Sequence, residues 1–176
     1  MLPIRLLWIA AALAAPPSLA APDTTTDVAA TARAVTREVN GALDRLERAD
    51  VRARRPDVAY DSQIRAWRDT TGVRKVEATD LDDSGSVVTE YYYRDGDLVF
   101  AYVAIKGWQD AREVTRVEHR QYFRDGTMTR WLAGMDKVVR APDDPDYAGE
   151  AQTRLAAAMF FHDAATRAFN PPAAPR

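Results

Sequence analysis

His119 and His162 are the only imidazoles in the chain. With a carboxylate they could hold zinc, or His119 could serve as general base in a small hydrolase. No His-x3-His spacing accompanies them, so the residues alone favour two structural histidines. A second candidate is Asp80-Leu81-Asp82-Asp83-Ser84-Gly85. It puts oxygen donors at positions 1, 3 and 5 and glycine at position 6 of a calcium loop. Position 12 is then Tyr91, with Glu90 one place early, and the residues that follow have strand character. Asp and Ser at such a place bond their own backbone and make a turn. Gly-x-Ser-x-Gly, Ser-x-x-Lys and the phosphate-binding Gly-x4-Gly-Lys patterns are all missing. So is cysteine, which excludes thiol nucleophiles, disulfides and thiolate metal sites. No cofactor is expected.

The remaining chemistry is recognition. Turn signals at Asp95-Gly96 and Asp125-Gly126 imply two hairpins. If each closes in simple alternation, Tyr93 faces Leu98, Tyr91 faces Phe100 and Thr89 faces Tyr102. In the second, Phe123 faces Met128 and His119 faces Leu132. One sheet face then gathers Tyr91, Tyr93, Leu98, Phe100, Tyr102, Val117, Phe123, Met128 and Leu132 as the core. The other presents Glu90, Tyr92, Arg94, Arg120, Tyr122 and Trp131 around a floor of Val99, Ala101, Val103 and Ile105. Aromatic and arginine walls over a small apolar floor have the composition of an interaction patch. The competing reading is that an amphipathic N-terminal helix covers this strip.

These residues need elements to hold them. Val28, Ala32, Val35, Val39, Ala42 and Leu46 recur at spacings of four and three, which predicts a helix over 27–48 after a flexible lead at 21–26. From Gln63 the period becomes two, with turns at short intervals, and six strands are predicted at 63–68, 73–81, 86–94, 97–106, 113–124 and 127–132. Pro145 opens a last helix over 145–169, ended by Asn170-Pro171-Pro172. The expected fold is α+β: a six-stranded antiparallel meander with both helices packed on it, forming a single domain over 27–176.

Residues 1–20 read as a secretory signal peptide: Arg5, an apolar run from Leu6 to Ala15, a Pro16-Pro17 break, then Ser18 and Ala20 at the −3 and −1 positions. The apolar run falls short of the roughly 20 residues that a spanning helix needs. The expected location is periplasmic or secreted, with no integral membrane segment after cleavage. Of the 176 residues, 47% are hydrophobic and 28% charged, which excludes a disordered tail protein, a collagen and a polytopic membrane protein. A net charge of −2 supplies no field for nucleic acid.

Glu90-Tyr91-Tyr92-Tyr93-Arg94-Asp95-Gly96-Asp97-Leu98 is echoed thirty residues on by Arg120-Gln121-Tyr122-Phe123-Arg124-Asp125-Gly126-Thr127-Met128. This stretch resembles a loosely defined set of uncharacterised exported bacterial β-meander proteins with a repeated aromatic hairpin. The resemblance implies an exported β protein and no catalytic residues. The expected function is a non-enzymatic envelope binding module that meets an unidentified envelope protein or glycan through Tyr92, Tyr122, Trp131, Arg120, Arg94 and Glu90. The alternative is the small periplasmic hydrolase near His119.

Overall fold

The structure, a computed structural model, describes residues 24–110 and 112–171. The segment read as a signal peptide lies outside them. In chain order the elements are α1 (Thr24–Asn40), β1 (Glu47–Ala53), β2 (Ser62–Asp69), β3 (Gly72–Asp82), β4 (Gly85–Arg94), β5 (Asp97–Gln109), β6 (Arg112–Arg124), β7 (Thr127–Ala133), β8 (Val138–Arg140) and α2 (Tyr147–Phe169). The strands form one antiparallel sheet in sequence order. The α+β meander with a helix at each end is therefore observed, but with eight strands in place of six.

Both extra strands occupy segments read as helix end or loop. α1 begins three residues early, at Thr24, and stops at Asn40 rather than 48. Gly41 N–H still bonds to the Arg37 carbonyl at 3.0 Å, after which tight turns through Ala42 and Arg45 reverse the chain. Leu43 and Leu46 keep packing beside Val35 and Val39, so the stripe was a real contact row but not a continuous helix. β1 follows, its inward positions filled by Ala49, Val51 and Ala53. Residues so small, set among arginines, give only a faint period of two. β8 is three residues long and follows a turn in which Gly134 and Lys137 have positive φ.

The two Asp-Gly corners pair as expected at their tips: Arg94 with Asp97, Tyr93 with Leu98, Phe123 with Met128. Beyond the tips the register slips by one. Tyr92 pairs with Phe100, leaving Val99 as an extra residue, and Tyr122 pairs with Arg130, leaving Thr129 as another. Such β-bulges turn every later side chain to the opposite face. The correction follows directly. Ala101 and Trp131 join Tyr91 and Tyr93, whereas Phe100 and Leu132 join Tyr92 and Tyr122.

α2 crosses one face from β1 to β7. Its Ala157, Ala158, Ala164 and Ala165 are buried and let the helix axis approach the sheet, while Phe161 and Phe169 fill the gaps. Against them lie Ile64, Val76, Tyr91, Tyr93, Phe123 and Trp131, the main core. Tyr93 Oη–H donates to the Ala158 carbonyl at 2.9 Å and Tyr147 Oη–H to the Met128 carbonyl at 3.1 Å. α1 lies on the opposite face over β4 to β7.

Candidate functional site

Cross-strand register arranges the α1 face into rows. The first runs Trp67, Lys75, Tyr92, Phe100, Tyr122, Arg130. The second runs Arg65, Glu77, Glu90, Tyr102, Arg120, Leu132, and the third Gln63, Thr79, Val88, Ala104, Glu118.

α1 seals the aromatic middle of the first row. Val28, Ala29 and Ala32 pack on Tyr122, and Val35 and Val39 on Tyr92. Ion pairs tie down its two ends: Asp27 with Arg124 at 2.7 Å and Glu38 with Arg74 at 2.6 Å. Arg74 is the extra residue of a bulge in β3. The bulge lets Arg74 reach Glu38 while Lys75 reaches Asn40 at 3.4 Å. Lys75 is only 4% exposed, with its ammonium 5.0 Å from the Tyr92 ring centroid and 3.1 Å from Glu90. The Tyr92 hydroxyl donates to Glu90 Oε2 at 2.5 Å. Burial first, and then the Glu90 carboxylate, push that hydroxyl's pKa up.

The expected ring platform is therefore corrected. Tyr92 (1% exposed), Tyr122 (8%) and Trp131 (6%) are all buried. Tyr92 and Tyr122 lie under α1, while Trp131 lies on the α2 side with its ring 6.2 Å from that of Tyr147. Arg94 is half-buried beside the Asp95-Gly96 tip. Glu90 and Arg120 remain at the border of the uncovered face.

That uncovered face holds a hollow of about 440 Å³ over the second and third rows, lined among others by Glu77, Val88, Glu90, Tyr102, Ala104 and Lys106. Its charges are matched. Arg65 pairs with Glu77, Lys75 with Glu90, Lys106 with Glu113 at 3.1 Å, and Arg120 with Glu118 at 3.1 Å. Ser86 Oγ–H also donates to Glu113 at 2.6 Å, and this bond, with Lys106, lowers the Glu113 pKa. The Arg120 guanidinium lies 5.9 Å from the Tyr102 ring centroid. Partial burial and the adjacent Glu118 push the Tyr102 hydroxyl up to about 12, so it stays a neutral donor. The simple alternation behind the expected faces put Tyr102 in the core. Only the bulge at Val99 brings it out, and nothing in the residue types around Val99 announces a bulge.

A second polar constellation lies beneath α2. Gln121, fully buried, donates from Nε2 to Glu150 Oε1 at 2.6 Å, and Arg154 donates to the same oxygen at 2.8 Å. Gln121 Oε1 and Arg154 Nε have no hydrogen-bond partner among the described residues, and the Tyr91 hydroxyl lies beside the Arg154 guanidinium. His119 is nearby. Its Nδ1 accepts the indole N–H of Trp131 at 3.2 Å. Indole N–H can only donate, so the neutral ring carries its proton on Nε2 and has no lone pair left for a general base. His162 packs at a tilt against Tyr93, with ring centroids 4.8 Å apart, while His119 lies against Trp131. Among the described residues no group of three His, Cys, Asp or Glu could hold a metal ion. Asp80, first residue of the calcium-like segment, accepts a bond from Ser62.

Burial is the leading cause of a lowered pKa at both His119 and His162. The unfolded chain therefore takes up the extra protons below the ordinary histidine value of 6.5. Stability is complete above that value and declines as pH falls through it. A falling melting temperature is expected between about pH 7 and about pH 5, before the carboxylates titrate. Thermal scans of His119→Gln/His162→Gln should show a flatter profile; an unchanged slope refutes the assignment.

No family model matches the chain, and neither a curated protein nor a solved structure is significantly similar to it. Among the described residues no helix is long and apolar enough to cross a membrane.

Proposed function

We propose that this is an exported, periplasmic or secreted binding protein without catalytic activity, and that the open half of its outer sheet face recognises a glycan. The supporting observation is the hollow around Tyr102, Val88 and Ala104, rimmed by charges that are already paired. A face whose charges cancel has little pull on a polyanion or an anionic bilayer. Sugar hydroxyls suit it, since each can donate to a fixed carboxylate and accept from a fixed guanidinium or ammonium without breaking the pair. Tyr102 offers a ring for stacking, and the small side chains of Val88 and Ala104 allow a sugar ring to come close. A protein partner would want protruding aromatic anchors. The three rings expected as anchors, Tyr92, Tyr122 and Trp131, are buried, and the exposed aromatics Trp108 and Tyr60 do not line the hollow.

The test is binding of the purified protein to insoluble peptidoglycan sacculi and to an array of neutral and acidic oligosaccharides. Tyr102→Ala should weaken binding about tenfold with its circular dichroism unchanged. An array without a single bound glycan, or equal binding by wild type and Tyr102→Ala, refutes the reading.

A further inference from the structure

Beside the open face is a smaller hollow of about 340 Å³, lined by Ala32, Arg33, Thr36, Phe100, Arg120 and Tyr122. Its floor is aromatic, with the Phe100 and Tyr122 ring centroids 5.2 Å apart. Two cations line it, Arg33 from α1 and Arg120 from β6. A third, Arg130 from β7, sits against the floor with its guanidinium 5.9 Å from the Tyr122 centroid. Arg120 has Glu118, but neither Arg33 nor Arg130 has a carboxylate within ion-pair distance among the described residues. The contrast with the neighbouring trough is sharp. There every charge is matched; here Arg33 on the wall and Arg130 beside the floor are not.

We infer that this hollow is a subsite for a carboxylate carried on a ring, and that the recognised glycan is acidic. A guanidinium fork meets a carboxylate with two parallel hydrogen bonds, and Arg33 and Arg130 have their forks unengaged by any carboxylate here. The aromatic floor suits the apolar face of a sugar ring. Ala32 and Thr36 keep the α1 wall low enough to admit it. The two hollows are neighbours, since Arg120 lines the smaller one and pairs across the strands with Tyr102, which lines the larger. A chain lying along the second row would thus set neutral hydroxyls over Tyr102 and its acid group beside Arg33.

This rests on the glycan reading, and the experiment separates the two. Isothermal titration would compare oligogalacturonate tetramer and soluble sacculus fragments, each as free acid and as carboxyl methyl ester. Wild type should bind the free acid of at least one ligand about tenfold tighter than its ester. Arg33→Ala/Arg130→Ala, and separately Thr36→Phe, which fills the hollow without removing charge, should erase that preference. Equal binding of acid and ester by wild type overturns the subsite and leaves the glycan reading standing. So does a preference that survives in both variants. Failure of every ligand in both forms overturns both readings.

Discussion

Gly85→Ala is expected to destabilise the protein by about 3 kcal/mol or more, with a matching drop in the midpoint of urea unfolding. A Cβ built at Gly85 would lie 2.0 Å from the Lys106 carbonyl oxygen and 2.9 Å from its carbon. Both are backbone atoms of the paired strand β5, so no rotamer change relieves the clash. Opening β4 from β5 would in turn break the hydrogen-bonded ladder at the rim of the Tyr102 hollow. Gly96→Ala is the control. Nothing lies within 4 Å of a Cβ there, and its cost is confined to the positive φ of 87°. Equal losses at the two glycines would refute the close-approach explanation.

Glu150→Ala is expected to cost about 3 kcal/mol, somewhat below the loss of a fully enclosed ion because the carboxylate reaches the surface. One oxygen of Glu150 takes hydrogen bonds from both Gln121 and Arg154. Its removal leaves a mostly buried guanidinium without a counter-charge and a buried amide without its acceptor, and both groups already carry an unpartnered atom. Glu150→Gln keeps an acceptor and should lose about 1 kcal/mol. Glu150→Leu/Arg154→Met removes the whole pair and should come closer to wild type than Glu150→Ala does. If the double variant is the least stable of the three, the constellation contributes more than mutual compensation.

Much of the architecture was legible. Alternation with Asp-Gly corners located the central strands, because turn chemistry and a period of two are local properties. α1 was legible as an amphipathic element and β1 was not, since Ala49 and Ala53 bury so little that their alternation is lost among charges. The site was less legible. Glu90 and Arg120 were placed at the open face, yet a bulge is one extra residue, and its effect is to exchange faces. One such step, at Thr129, moved Trp131 to the α2 side, and another, at Val99, brought Tyr102 into view. The Gln121–Glu150–Arg154 contact joins residues 29 apart in the chain, and an i,i+4 pair on a helix reads equally well as surface decoration.

The Asp27–Arg124 clasp spans 97 residues. A helix synthesised first must therefore wait for strands made much later before its apolar side has anywhere to rest. Long-range closure of this kind slows folding and prolongs the exposure of sticky surface. In a chain made N-terminus first, α1 would spend most of synthesis as an orphan, available to any chaperone that shields greasy helices. Its docking would be among the last events of maturation, when the three-ring row finally goes dark.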